Sequence, residues 1–196
     1  QIEARAVCDL SYKDFGFSNF GYQKNLVHIL EQACDGNDLT ELTIADREEV
    51  VMNRLMQAVV ARPRGGLYVT ALDSPHYNYY WHEEFDPPFK DYDQDTRFPL
   101  NPSKEEVQRV VNRYWNSVAW VDFQLEQFCK FLKSQGRYDE SIIILTGDHG
   151  EEFQEQGSWF HCSSLRPEQV AVPILIKWPA SMGRGETRKD VNHIDV

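Results

Sequence analysis

Ser141–Gly157 reads SIIILTGDHGEEFQEQG. Its first half is a continuous apolar run, Ile142, Ile143, Ile144 and Leu145, the pattern of a strand covered on both faces. The run stops at Thr146-Gly147-Asp148-His149-Gly150, where two glycines bracket an acid and an imidazole. In open α/β sheets ligands sit at the carboxyl ends of the strands, and a carboxylate beside an imidazole suits a divalent metal. A bare GDHG reads equally as a tight turn, with Asp148 capping the next helix and His149 on the surface. These residues alone leave both readings open.

Immediately upstream lies the longest helical pattern. Ser103 with Glu106 makes a capping box, and Val107, Val110, Val111, Tyr114, Trp115, Val118, Val121, Leu125, Phe128 and Leu132 carry the helix to about Ser134, with Gly136 ending it. Trp115 and Trp120 are expected in the core. Further upstream, Leu67–Leu72 (LYVTAL) is a second buried-strand pattern, and its end carries Asp73-Ser74-Pro75-His76, again an acid and an imidazole where a strand gives out. Strand, helical connection, strand is a right-handed βαβ unit, so 67–72 and 141–146 are expected to run parallel. That would bring His76 near Asp148 and His149. The connection Tyr77–Pro102 is aromatic in its first part and rich in Pro and Asp in its second. It reads either as a loop over the sheet end that shapes a pocket or as a surface loop with its aromatics folded under it.

The flanks are plainer. Glu151 and Glu152 read as first-turn helix acids, and Val170–Trp178 (VAVPILIKW) as a third apolar strand, an edge or late-entering one because of Pro173. Ala45–Ala61 is a helix with Asp46 as N-cap and Glu48 and Glu49 in its first turn. Residues 1–25 read as irregular, glycine-rich aromatic structure, and Asn25–Ala33 as a short helix. Cys129 is a small core residue, and none of the four cysteines forms a CxxC. His161 between Phe160 and Cys162 reads by itself as a buried, satisfied histidine, and Arg166 as a solvated side chain.

With 196 residues the chain suits one domain or slightly more, and 41% hydrophobic and 13% aromatic residues make it a folding composition. A net charge of −11 excludes the basic footprint of a nucleic-acid binder, so no nucleic-acid partner is expected. No apolar run approaches the roughly 20 residues that span a bilayer. The chain opens Gln-Ile-Glu and closes His193-Ile194-Asp195-Val196, and is expected to be a piece of a longer protein.

Taken together, the TGDHGEEFQEQG stretch after a strand, His161 beyond it, the VPILIKWP strand, the final HIDV, LDSPH after a strand and NRYWNSVAWVD on the helix resemble the alkaline phosphatase/sulfatase superfamily. The resemblance runs from about Leu67 to Val196 and is nearest to bacterial membrane-anchored branches: YejM-type sulfatase-like proteins, phosphoethanolamine transferases and lipoteichoic acid synthases. It implies an α/β fold, a mostly parallel sheet flanked by helices, forming part of an alkaline-phosphatase/sulfatase-like domain. Residues 1–66 would be an N-terminal segment, irregular plus two helices, and 67–196 the C-terminal part of the catalytic domain.

Carried over residue by residue, the resemblance makes Asp148 and His149 metal ligands, His76 and His161 catalytic histidines that contact the transferred or leaving group or complete a second metal site, and Arg166 a substrate contact. His193 and Asp195 match a segment read as structural. The implied cofactor is a divalent metal (Zn, Ca, Mg or Mn), and the implied substrate a sulfate or phosphate ester, with a lipid or glycan headgroup among the candidates. The implied location of the parent protein is the periplasmic face of a bacterial inner membrane. The family's nucleophile, a Thr, Ser or formylglycine-forming Cys in a C-x-P-x-R signature, has no match here; Cys8 and Cys162 sit in the wrong contexts. The nucleophile is therefore expected upstream of Gln1 or not at all, and this piece alone is expected to be inactive. Three functions follow: a metal-dependent sulfatase/phosphatase-like hydrolase, a phosphoethanolamine-type transferase acting on envelope lipids, or a non-catalytic regulatory module. A plain flavodoxin-like domain with accidental histidines is the remaining alternative.

Overall fold

A computed structural model describes the backbone of residues 4–7 and residues 43–62, 66–95, 98–183, 185 and 191–193. The expected helix at 25–33, and most of the 1–25 stretch, lie outside the described residues. In chain order the elements are β1 (Ala4–Val7), α1 (Ile44–Val60), β2 (Leu67–Thr70), α2 (Lys104–Ser134), β3 (Ile143–Thr146), β4 (Glu152–Phe153), β5 (Trp159–Phe160), α3 (Pro167–Val170) and β6 (Ile174–Lys177).

Both long helices start on capping boxes. Ser103 and Glu106 close α2 as the sequence predicts, Ser103 N–H donating to Glu106 Oε2 at 2.7 Å. For α1 the cap moves three residues: Thr43 is the N-cap, and Asp46, expected there, is its N3 partner. An acid three residues after a threonine satisfies two orphan N–H groups reciprocally, which a lone Asp cap cannot. Gly136, at φ +65°, ends α2 in the left-handed region that glycine enters without penalty. Arg137 then donates from Nη1 to Val59 O and Arg62 O, both at 2.9 Å, and so closes the C-terminal end of α1.

The helices meet over one core. Val51, Met52, Leu55 and Val59 of α1 and Leu132 of α2 are buried, with Phe128 and Phe131 of α2, Tyr68 and Leu72 around β2, and Ile143 of β3 packed against them. The tryptophans divide: Trp120 is buried and Trp115 is 47% exposed, because five positions along a helix leave them on different faces.

Strand pairing differs from expectation. β2 pairs in parallel with β1, in register Ala4↔Leu67 to Val7↔Thr70. β3 pairs antiparallel with β6, and β4 with β5, so the described strands form three two-stranded sheets in which β2 and β3 are not hydrogen-bonded to each other. The crossover rule fixes the hand of a βαβ connection but leaves room for an intervening strand. Tyr68 of β2 and Ile143 of β3 still rest on the same helical layer. β6 begins only after Pro173, as Pro in a strand pattern predicts.

Leu132 is the side chain through which α2 enters the α1 cluster. Leu132→Ala is expected to cost about 2–4 kcal/mol in urea denaturation, the range for a buried leucine whose cavity refills incompletely.

Candidate functional site

β3 delivers the GDHG turn. Gly150 is there for space: a Cβ on it would lie 2.3 Å from Glu168 O and 2.9 Å from Ala171 O, both backbone atoms, and its N–H donates to Gln169 O at 2.9 Å. The turn is thus pressed against the segment that contains α3. His149 Nδ1 lies 2.9 Å from Gly150 O, which makes Nδ1 the protonated nitrogen and leaves Nε2 a free lone pair. Nε2 stands 3.7 Å from Asp148 Oδ1. Two ligands of one tetrahedral ion, each at 2.0–2.2 Å, lie about 3.4 Å apart, so this pair fits two positions of a divalent metal site. The Asp148 side chain is 84% exposed, open to further ligands. Among the described residues no group of three or more His, Cys, Asp or Glu side chains is arranged to hold an ion.

The expected helix after Gly150 is absent. Instead Glu152–Phe153 and Trp159–Phe160 form the β4–β5 hairpin, in register Glu152↔Phe160 and Phe153↔Trp159. Glu152 is 1% exposed and accepts from Gln156 N at 3.1 Å, Ser158 N at 2.9 Å and Gln169 Nε2 at 2.7 Å. Those bonds, the one from Gln169 foremost, hold its carboxyl below the usual range. Gln169 in turn accepts from Ser163 N and Ser164 N through Oε1. An acid buried among inward-pointing N–H groups favours the hairpin over the helix that its sequence position suggests.

The hairpin carries His161 back to the turn. Its neighbours Phe160 (φ +69°) and Cys162 (φ +66°) both occupy the left-handed region, an unfavourable place for residues with a Cβ. The His161 ring centroid lies 3.8 Å from that of His149 and 5.4 Å from that of His76. His161 Nδ1 is 3.0 Å from Glu151 Oε1, and the Glu151 side chain is only 5% exposed. Burial pushes the Glu151 carboxyl up, while the hydrogen bond from His161 and the nearby His149 and His76 oppose that shift. Tyr79 is fully buried beside this acid without a well-formed hydrogen bond to its hydroxyl, and burial raises its phenol pKa.

His76 comes from the loop after β2. Its Nδ1 is 2.8 Å from Tyr77 O. The long connection does both things its sequence allows. Its aromatics fold under, with Tyr79 against Tyr114 and Arg113 Nε donating to Asn78 O, while Tyr77 and Phe98 stack on Phe160 at centroid distances of 4.4 Å. Trp159 Nε1 donates to Pro99 O at 3.1 Å. The loop's rings thus pack onto Phe160 and Trp159, the residues just before His161. A cleft of about 310 Å³ on its far stretch is lined by Asp93, Asp95 and Glu106 with Arg109, the wrong balance of charge for an anionic ester.

Of the residues singled out by sequence, His76, His149 and His161 converge, and Asp148 stands beside His149. Arg166 is exposed before α3, where its charge bears on Glu152, and is not part of the histidine stack. His193 Nε2 reaches Thr146 Oγ1 at 3.0 Å, at the end of β3. Sequence reasoning missed Glu151 as the partner of His161; the only trace was an acid two residues past the Asp-His pair.

The fold is of the alkaline-phosphatase-like α/β type: the phosphonate monoester hydrolase of Agrobacterium radiobacter superposes with a TM-score of 0.61, covering 91% of this chain and 51% of its own, at 12% identity. The sulfatase family model matches residues 9–196, and the chain belongs to that family, within the alkaline phosphatase/sulfatase superfamily. Phosphoethanolamine transferase EptA of Salmonella typhimurium is 29% identical over 160 residues, 74% of this chain and 28% of the relative. Lipoteichoic acid synthase 2 of Bacillus subtilis is 40% identical over 62 residues, 32% of this chain and 9% of the relative. The N-acetylglucosamine-6-O-sulfatase of Bacteroides thetaiotaomicron is 27% identical over 85 residues, 43% of this chain and 15% of the relative. The chain thus spans less than a third of each of these curated relatives.

Gly150→Ala is expected to lower stability by about 1–3 kcal/mol in thermal or urea denaturation, because backbone oxygens must move to admit the methyl group. For Glu152 the sign follows from its lowered folded pKa: the unfolded chain binds the proton more readily, so the stabilisation is present above the ordinary glutamate range and is lost as pH falls through the folded value. The stability advantage of the wild type over Glu152→Gln should therefore hold above the ordinary glutamate range and shrink as the pH is lowered through and below it in urea titrations.

Proposed function

We propose that this chain is the C-terminal part of a metal-dependent enzyme that cleaves or transfers a sulfuric or phosphoric ester, with its nucleophile supplied by sequence preceding Gln1. The observation that carries this reading is the convergence of His76, His149 and His161 at one end of β3, with Asp148 beside them and the buried Glu151 behind. Asp148 and His149 Nε2 would hold the cation. Bound there, a divalent metal supplies charge for a non-bridging ester oxygen and lowers the pKa of an attacking hydroxyl.

The remaining work falls to the protein's own groups. With Glu151 ionised, His161 Nδ1–H donates to it, which fixes the tautomer and leaves Nε2 to face the ester. Nε2, once protonated, donates to the departing alcohol oxygen as general acid; His76, whose Nδ1–H is taken by Tyr77 O, donates from Nε2 to a charged oxygen of the transferred group only as the imidazolium. Tyr77, Phe98 and Phe160 exclude water on one side. Water as final acceptor makes a hydrolase, and an alcohol a transferase. The relatives include phosphoethanolamine transferases and lipoteichoic acid synthases, which favours an envelope lipid or glycan headgroup and a parent at the periplasmic face of a bacterial inner membrane. The alternative is a non-catalytic module that keeps the sulfatase-like fold without turnover.

The full-length protein is expected to turn over p-nitrophenyl phosphate or p-nitrophenyl sulfate, to lose turnover in EDTA and to recover it with one of Zn, Ca, Mg or Mn. Asp148→Ala should lower kcat by about a hundredfold or more. Turnover indifferent to both chelation and Asp148→Ala would defeat the metal assignment, and no turnover of any ester would favour the regulatory module.

A further inference from the structure

Glu48 is the one acid of α1 that the histidine site does not use and that is nevertheless completely buried. In sequence it reads as a first-turn surface acid, but with Thr43 as N-cap it lies one turn further in, and its side chain meets Ser74 beyond β2 and Trp120 and Gln124 of α2. Four donors converge on it. Ser74 N–H reaches Oε1 at 2.6 Å; Ser74 Oγ, Trp120 Nε1 and Gln124 Nε2 reach Oε2 at 2.6, 3.0 and 3.0 Å. The amide, indole and side-chain amide donors have no lone pair to offer in return, so the arrangement matches the ionised, acceptor-only carboxylate. Burial is the larger effect and pushes the carboxyl up from its ordinary value, and the hydrogen bonds from Ser74, Gln124 and Trp120 offset part of that shift.

What Glu48 holds matters more than its charge. Ser74 closes the loop that carries His76: Tyr80 N–H donates to Ser74 O at 2.9 Å, His76 N–H to Asp73 O at 3.0 Å and Tyr79 N–H to His76 O at 2.7 Å. The loop is a knot whose neck is Ser74, and Glu48 fastens both the backbone and the hydroxyl of that neck to the helical layer. Arg113, on Asn78 O, is a second fastening beside the ring contacts of Tyr77 and Tyr79. His76 sits between them, 5.4 Å from His161 ring to ring.

We propose that Glu48 is a positioning residue that sets His76 against His161 by anchoring the Ser74 neck. The inference rests on the proposed role of His76. The test is a double-mutant cycle in the full-length protein, with whichever of p-nitrophenyl phosphate or p-nitrophenyl sulfate the wild type turns over faster. Glu48→Gln keeps the size but turns one acceptor oxygen into a donor facing donors. It is expected to lower kcat about tenfold with KM within about twofold, as a misplaced catalytic group does. The loss should vanish when His76 is already alanine, because Glu48 then has nothing to position. A merely structural residue would give the same loss in both backgrounds, and that result, or a folded E48Q with wild-type kcat, overturns the inference.

If E48Q fails to fold, Ser74→Ala, which removes one donor and keeps the backbone bond, takes its place under the same criteria. A His76→Ala variant with wild-type kcat removes the proposed role of His76 and this inference with it; a slow H76A beside a wild-type E48Q removes this inference alone. If no ester is turned over, hydrogen exchange decides: faster exchange of the Ser74 and Tyr80 amides in E48Q, with α2 amides away from Trp120 and Gln124 unchanged, supports the anchor, and unchanged exchange overturns it.

Discussion

A carboxylate closed off from water and surrounded by neutral N–H donors is the interaction on which this site depends. Glu152 takes two backbone amides and the Gln169 side chain, and through Gln169 the hairpin is tied to α3 and to residues 163 and 164. An isolated buried charge would be prohibitive, and only a full set of hydrogen bonds makes it tenable. The choice of an acid over an amide follows from the local need. Tight turns leave several amide hydrogens pointing the same way, and a carboxylate is the side chain that offers acceptors alone. Removing such an acid would strand each donor in turn, which is costlier than the modest net value of any single bond.

That network explains how the backbone can hold conformations it would otherwise shed. Tyr79, Gln154, Phe160 and Cys162 all lie at positive φ without being glycine. Each such residue costs on the order of 1 kcal/mol or more, and they cluster on the elements that carry or wall the histidines. Gln154 is held by its amide on Ser158 O, and Phe160 by stacking on Tyr77 and Phe98. Strain held in place by surrounding bonds keeps the imidazoles of His149 and His161 in contact, the kind of preorganisation that the proposed function calls for.

Sequence showed the ends of things more readily than their sides. The apolar run into GDHG and the Ser103–Glu106 box follow from short patterns with local causes, whereas the grouping of His76 with His149 through His161 was expected from a direct β2–β3 pairing that the strands do not make. The three buried acids follow from no such pattern. Glu48, Glu151 and Glu152 all stand where a helix or its first turn favours an acid, and their partners lie up to 76 positions away or across a hairpin whose existence they help decide. The pairing of β2 with β1 was equally hidden, since a crossover rule constrains handedness but not adjacency. Gly150 carried a correct signal with the wrong cause: two glycines around Asp-His suggest turn geometry, whereas this one is required by the approach of Glu168 and Ala171 backbone oxygens.

Electrostatics narrow where an anionic ester can settle on so acidic a chain. At −11 the protein repels such a ligand at long range, but at physiological ionic strength that field fades over about 8 Å, so near neighbours decide. The cleft by Phe98 is lined with Asp93, Asp95 and Glu106 against a single Arg109 and offers an anion no net attraction. At the end of β3 the balance is different. Glu151 is turned inward and already engaged by His161, so its charge is spent on an imidazole and not on the incoming group. Asp148 is the acid left facing solvent there, and a bare carboxylate would turn an ester away. Under the proposed function the same residue becomes favourable once a cation beside His149 shares its charge, which is why that proposal needs the metal as well as the histidines.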